Sequence, residues 1–176
     1  MTGDQTRSPA ARLAAWMAAL AALLSLTLLF GWFEARREHP NRQAMGEVSG
    51  GVAELALKQN HAGHYLADGT INGRAVTFML DTGATSIAIP ADLARELNLP
   101  RLAPVTVQTA NGLTEGWLTR LDEVALGPFR EYDLRAVIQP EYEGEVLLGM
   151  NFLRTLDWVQ RDRTLLLRRY TSENTR

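Results

Sequence analysis

The thirteen residues "FMLDTGATSIAIP", 78 to 90, constrain this chain more than any other stretch. Phe78, Met79 and Leu80 before the carboxylate, and Ile87, Ala88 and Ile89 after it, read as two buried strand-like runs. Between them the chain places one acidic residue, Asp81, and follows it with Thr82 and Gly83. A carboxylate at the end of an apolar strand is costly unless it is paired, hydrogen-bonded or protonated. Gly83 permits a sharp turn and lets backbone N–H groups approach the acid. Thr82 adds a hydroxyl that can bond backbone across a contact. A hydrogen-bonded turn aspartate is the bland alternative, and the rest of the chain weighs between the two.

Around that stretch the signals are those of strands and tight turns. In "HYLADGTINGRAVTFML" (64–80), Asn72-Gly73 is the strongest two-residue hairpin signal, with a strand expected on either side. "VTVQTANGLTEGWLTRL" (105–121) repeats the pattern, with Asn111-Gly112 at its tip. "VAELAL" (52–57), "EVALGPF" (123–129), "YDLRAVI" (132–138) and "TLLLRR" (164–169) supply further strands. Helical signals are few. "PADLARELNL" (90–99) has Pro90 suited to a first helical position and Leu93 and Leu97 one turn apart, and "GMNFLRTL" (149–156) is a shorter candidate. The expected domain is mainly β, a closed or sandwich-like sheet with one or two short helices.

The N-terminus is of another kind. Residues 13 to 33, "LAAWMAALAALLSLTLLFGWF", contain no charge, and 21 residues of helix span a hydrocarbon core of about 30 Å. Trp16 and Trp32 lie near its two ends, where indoles favour the bilayer interface. The run exceeds the about 7–15 residues of a signal-peptide core, and "GWFEARRE" after it is a poor cleavage site. An uncleaved anchor is the expectation. The division expected is a polar tail at 1–12, a transmembrane anchor at 13–33, a polar linker at 34–51, a globular domain at 52–170 and a polar tail at 171–176. Arg7 and Arg12 on one side and Arg36, Arg37 and Arg42 on the other leave the positive-inside count undecided. The orientation expected is that of signal anchors, with the short tail inside and the domain outside.

Composition removes several functions. The chain has no cysteine, so thiol catalysis, disulfides and cysteine metal sites are excluded. A formal net charge of -2 and the absence of a basic cluster beside Trp117 or Trp158 argue against nucleic acid. His61 and His64 sit in a polar stretch and read as loop or strand-edge residues, so no metal or other cofactor is expected. The acidic stretch "EYEGE" (141–145) reads as a solvated loop.

Taken together, "LDTGATSIAIP", the hairpin tip "TANGLTEG" (109–116), "VLLGMNFL" (146–153) and the closing "TLLLRR" resemble, in order, the retropepsin-like aspartic proteases, particularly their membrane-anchored bacterial members. The resemblance covers about residues 52 to 170. It implies a single-lobe acid-protease fold with Asp81 as the catalytic carboxylate and Thr82, Gly83 and Ala84 as its loop. Thr109, Ala110, Asn111, Gly112 and Leu113 would then be a flap that closes over substrate. Leu147, Leu148 and Gly149 would pack behind the loop. Thr82 would brace two such loops against each other, and Gly83 would approach the substrate backbone. It also implies a place in the bacterial inner membrane, single-pass, with the domain periplasmic.

Carboxylate hydrolysis of a peptide needs one group to activate water and another to supply a proton, roles that two adjacent aspartates divide between them. This chain has one Asp-Thr-Gly; Asp68, Asp122 and Asp157 lack that context. The second Asp81 is expected from another copy across a two-fold axis, giving a homodimer that binds an extended peptide. Because Ala84 cannot hydrogen-bond the carboxylate as a serine could, activity is expected at mildly acidic to neutral pH. Pocket residues are expected to include Ile87, Leu113 and part of 138–148, favouring hydrophobic side chains beside the cut. Two other readings stand against this one. A catalytically silent, membrane-tethered peptide-binding or dimerisation module would keep the same fold. An actin-like ATPase would share the strand-acid-glycine order, but a domain of about 120 residues cannot hold its two lobes.

Overall fold

The computed structural model describes residues 9–42, 44, 46–109 and 112–170. Within the first helix, side chains are described for 16–31 and Glu38. The chain divides into two compact units, one ending at Glu38 and the other beginning at His39.

The first unit is helix α1 (Pro9–Glu38), 30 residues long. Its described side chains are mostly apolar and exposed, Trp16, Leu20, Leu24 and Phe30 among them. Its two hydroxyls bond within the helix, Ser25 Oγ donating to Ala21 O and Thr27 Oγ1 to Leu24 O, both at 2.8 Å. Among the described residues no helix is long and apolar enough to cross a membrane. The expected anchor at 13–33 extends past both ends of the stretch whose side chains are described, which at 1.5 Å per residue rises only about 24 Å.

The second unit is mainly β. Strands β1 (Glu47–Ser49), β2 (Val52–Lys58), β3 (Leu66–Ile71), β4 (Arg74–Leu80) and β5 (Ile87–Pro90) lead into helix α2 (Ala91–Glu96). Then come β6 (Ala103–Thr109), β7 (Gly112–Leu126), β8 (Phe129–Gln139), β9 (Val146–Leu148), helix α3 (Met150–Leu153), β10 (Asp157–Arg161) and β11 (Thr164–Tyr170). Seven strands form one sheet in the order β3-β4-β9-β5-β8-β7-β6, and a further β3–β7 pairing closes it on itself. The other four form a smaller sheet, β1-β2-β11-β10. Phe78, Phe129 and Phe152, with Leu55 and Leu57, are among the fully buried side chains of the shared core.

The Asn-Gly hairpin forms as its chemistry requires: Asn72 and Gly73 connect β3 to β4 with φ of 50° and 76°, the left-handed pair of a two-residue turn. At the second expected tip, Ala110 and Asn111 lie outside the described residues, while β6 and β7 pair in register from Ala103↔Leu118 to Thr109↔Gly112. Two expectations need correction. The polar stretch 34–51 is not a linker throughout, because the domain begins at His39 rather than 52. Asn41 is buried and acts as a peptide group in side-chain form. Its Nδ2 donates to Lys58 O at 2.8 Å and Leu66 O at 2.7 Å, and its Oδ1 accepts from Lys58 N at 2.7 Å. Pro90 is the N-cap of α2 and the last residue of β5, not the first helical residue.

Candidate active site

Asp81 follows directly on β4, whose end is held by a parallel neighbour. β4 pairs with β9 as Phe78↔Val146, Met79↔Leu147 and Leu80↔Leu148, and Asp81 N continues the ladder by donating to Leu148 O at 3.2 Å. The chain then turns. Gly83 N donates to Asp81 Oδ1 at 2.8 Å, so the turn directs a backbone N–H at the carboxylate, and Ala84 N reaches Asp81 O at 3.3 Å. Asp81 is half-buried, with Thr82 and Gly83 exposed beside it. β5 leaves the turn fully buried and pairs with β8 in parallel, Ile87↔Ala136 to Pro90↔Gln139.

The loop is fixed from behind by the start of α3. Met150 N donates to Ala84 O at 2.8 Å and Asn151 N to Thr85 O at 3.1 Å. Asn151 also bridges two strands through its side chain, Oδ1 accepting from Ile87 N at 3.1 Å and Nδ2 donating to Arg135 O at 2.8 Å. Gly149 is where the two segments meet most closely. A Cβ there would lie 2.5 Å from Ser86 O and 2.8 Å from Ala84 O, distances no side chain tolerates. Leu148 and Gly149 are buried, whereas Leu147 is half-buried and reaches the cavity described next.

In front of Asp81 lies a cavity of about 490 Å³. Its walls are the turn after Asp81, Val107, Gln108 and Thr109 from β6, Thr114 from β7, and a stretch from Val137 to Tyr142. Thr109 Oγ1 donates to Gly112 O at 2.8 Å across the hairpin end, where Gly112 has a φ of 114°. Two expectations change here. Ile87 is fully buried core and does not reach the cavity. Leu113 is 72% exposed and also lies outside its lining. The acidic stretch 141–145 is exposed as expected apart from the half-buried Tyr142, and it also gives Glu141 and Tyr142 to the wall. Thr114 Oγ1 donates to Glu141 Oε2 at 3.1 Å, tying the hairpin to this loop. Tyr142 is half-buried and donates its hydroxyl to Glu145 O at 2.7 Å. Burial above all, then the charges of Glu145 and Asp81, pushes its phenol above the usual tyrosine range.

Thr82 points elsewhere. It lines a second cavity of about 140 Å³ with Leu80, Tyr65, Leu153 and Trp158. Trp158 and Val159 lie on β10, which among the described residues pairs with β11 alone, and they are 44% and 45% exposed. Sequence reasoning placed no strand at 157–161 and gave no role to Asn151. The signal for Asn151 was a two-headed hydrogen-bonding side chain just after a buried glycine. Among the described residues, no three His, Asp or Glu side chains converge in a way that could hold a metal ion.

A model of the family described as gag-polyprotein putative aspartyl protease matches residues 67–155, which include the Asp81 turn, the hairpin and the Gly149 segment. A crystal structure of a retropepsin-like aspartic protease from Rickettsia conorii is 25% identical, covers 72% of this chain and 95% of its own, and superposes with a TM-score of 0.58. An uncharacterized protein from the cobV 5′ region of a Sinorhizobium species is 31% identical over 125 residues, 69% of this chain and 54% of that one. The chain thus spans about half the length of that curated relative.

Proposed function

Because the chain belongs to the retropepsin-like aspartic protease family, we propose that it is an aspartic endopeptidase whose active site forms between two copies of the chain, each supplying Asp81. The observation that carries this is the construction of the Asp81 turn: a half-exposed carboxylate, fed by one backbone N–H and braced from behind, at the mouth of a cavity of about 490 Å³. One carboxylate takes a proton from water as the oxygen attacks the peptide carbonyl carbon. The other donates a proton, and the C–N bond breaks to release an amine and a carboxylic acid. Glu141 is the cavity's other carboxylate, but it is bound to Thr114 and shares no hydrogen bond with Asp81 among the described residues. On this reading the partner for Asp81 is a second Asp81 from another copy of the chain.

The exposed surface beside the turn supports that assembly. Thr82 and Gly83 are exposed in the single chain, and next to Thr82 the half-exposed Trp158 sits on a strand with a free edge. A second copy covers this surface and brings the two turns together, Thr82 against Thr82. Peptide enters the cavity in extended form beneath the β6–β7 hairpin. Residues 13–33 anchor the enzyme in a bacterial inner membrane, with the domain on the periplasmic side. The exposed apolar face of α1 and its internally bonded Ser25 and Thr27 suit a lipid environment.

The test is a peptide library incubated with the full chain in detergent, alongside Asp81→Asn. The enzyme cleaves and the variant binds without cleaving. A wild-type protein that binds peptides but cleaves none would instead be the silent module of the same fold.

A further inference from the structure

The cavity has a charge that its family resemblance does not supply. Two of its lining residues are ionisable acids, Asp81 and Glu141, and no Lys, Arg or His stands among the described lining residues. Glu143 and Glu145 follow Tyr142 in the same loop, so the field along this wall is negative. Glu141 is exposed, and Thr114 Oγ1 donates to its Oε2 at 3.1 Å. A carboxylate accepts at about four lone-pair positions, so this single bond leaves Oε1 and part of Oε2 open. The lining also carries apolar side chains, Val107, Val137 and Leu147 among them.

A cavity wall that offers apolar side chains and a carboxylate together suits one kind of side chain. Lysine and arginine lay a hydrocarbon stem along apolar surface and carry their charge at the tip. A neutral hydrophobic side chain would pack on the apolar groups but leave the carboxylate unused. An acidic one would meet like charge from Glu141 and from Asp81.

Resting on the reading of this cavity as a peptide site, we infer that the substrate carries a lysine or arginine beside its scissile bond, and that Glu141 receives that charge. Glu141 is a specificity-determining residue, and Tyr142, bonded to Glu145 O, holds the loop that presents it.

Matched peptides that differ only in lysine, arginine, norleucine or glutamate at positions flanking the cut test this with the full chain in detergent. The wild type has a kcat/KM about fivefold higher for the cationic peptides, the scale of a half-solvated ion pair, and the preference shrinks as salt is raised. Glu141→Gln keeps an acceptor for Thr114 and should melt where the wild type does. It lowers kcat/KM for the cationic peptides to the level of the norleucine peptide. Glu141→Lys shifts the preference to the glutamate peptide.

The same peptides are also titrated against Asp81→Asn, with and without Glu141→Gln, by fluorescence anisotropy, so that recognition is read without turnover. Cationic and neutral peptides cleaved and bound equally by the wild type would overturn the inference while leaving the protease reading intact. So would a cationic preference that survives Glu141→Gln. Cationic peptides bound through Glu141 but never cleaved would uphold it and defeat the catalytic reading. Binding of none would defeat both.

Discussion

The Asp81 turn and the β6–β7 hairpin line the same cavity and are built by opposite means. The turn has the buried β5 on one side and α3 behind it, with two backbone N–H groups of α3 on its carbonyls and Asn151 bridging to Ile87 and Arg135. The hairpin's outer strand, β6, has no fully buried residue, and its ladder runs only to β7. Its cross-links to the rest of the wall are light, such as Thr114 to Glu141. In the proposed protease a catalytic carboxylate must stay in place through the reaction, and a cover must lift to admit a chain. Packing supplies the first and exposure the second.

Substitutions behind the turn should cost much more than those in the hairpin. Gly149→Ala forces a Cβ against two backbone carbonyls that cannot move independently. It should destabilise the domain by about 3 kcal/mol, read as a fall in denaturant midpoint. Asn151→Ala leaves Ile87 N and Arg135 O without their partner and should cost about 2 kcal/mol. If both melt like the wild type, the turn is not held from behind.

Thr109→Ala removes the hydroxyl that bonds Gly112 O across the hairpin end. Its stability cost should stay below about 1 kcal/mol, while KM rises and kcat changes little. A large loss of stability there would erase the contrast between the two regions.

The smallest effect belongs to a pair far from the cavity, Arg120 and Asp133 on β7 and β8. The hydrogen bond from Arg120, more than its charge, holds the fully exposed Asp133 carboxyl below the usual range. A depressed carboxyl adds stability above its unfolded-state pKa and loses it as pH falls through the folded-state value. Asp133→Asn should therefore lower stability slightly at neutral pH, and the difference from wild type should vanish as pH falls through that acidic window. Asparagine tolerates the φ of 59° at this position, so the backbone is undisturbed.

What could be seen in the sequence was chemistry with short range. Asn72-Gly73 demands its turn wherever it falls, and an acid followed by Thr-Gly between two apolar runs announces a turn at the end of a buried strand. The Leu-Leu-Gly stretch was legible as a buried strand end, although its reason for glycine lies in carbonyls more than sixty residues away. What stayed hidden has partners distant in sequence. Asn41 reads as linker because its partners are backbone atoms of Lys58 and Leu66. Asn151 reads as one more helix residue until Ile87 N is found against it. Glu141 has the same composition around it whether its loop faces solvent or a cavity. Thr82 lies next to Asp81 in the chain yet lines a different cavity.

The account depends most on two chains sharing one site, and mixing tests that directly. Wild-type and Asp81→Asn chains are co-expressed in equal amounts, so that copies pair at random, and cleavage is measured per total protein. If each site needs Asp81 from both chains, activity falls to about a quarter of the all-wild-type value, the fraction of pairs with both residues intact. Activity at about a half would mean that each chain carries a complete site of its own, and would contradict the shared Asp81 pair.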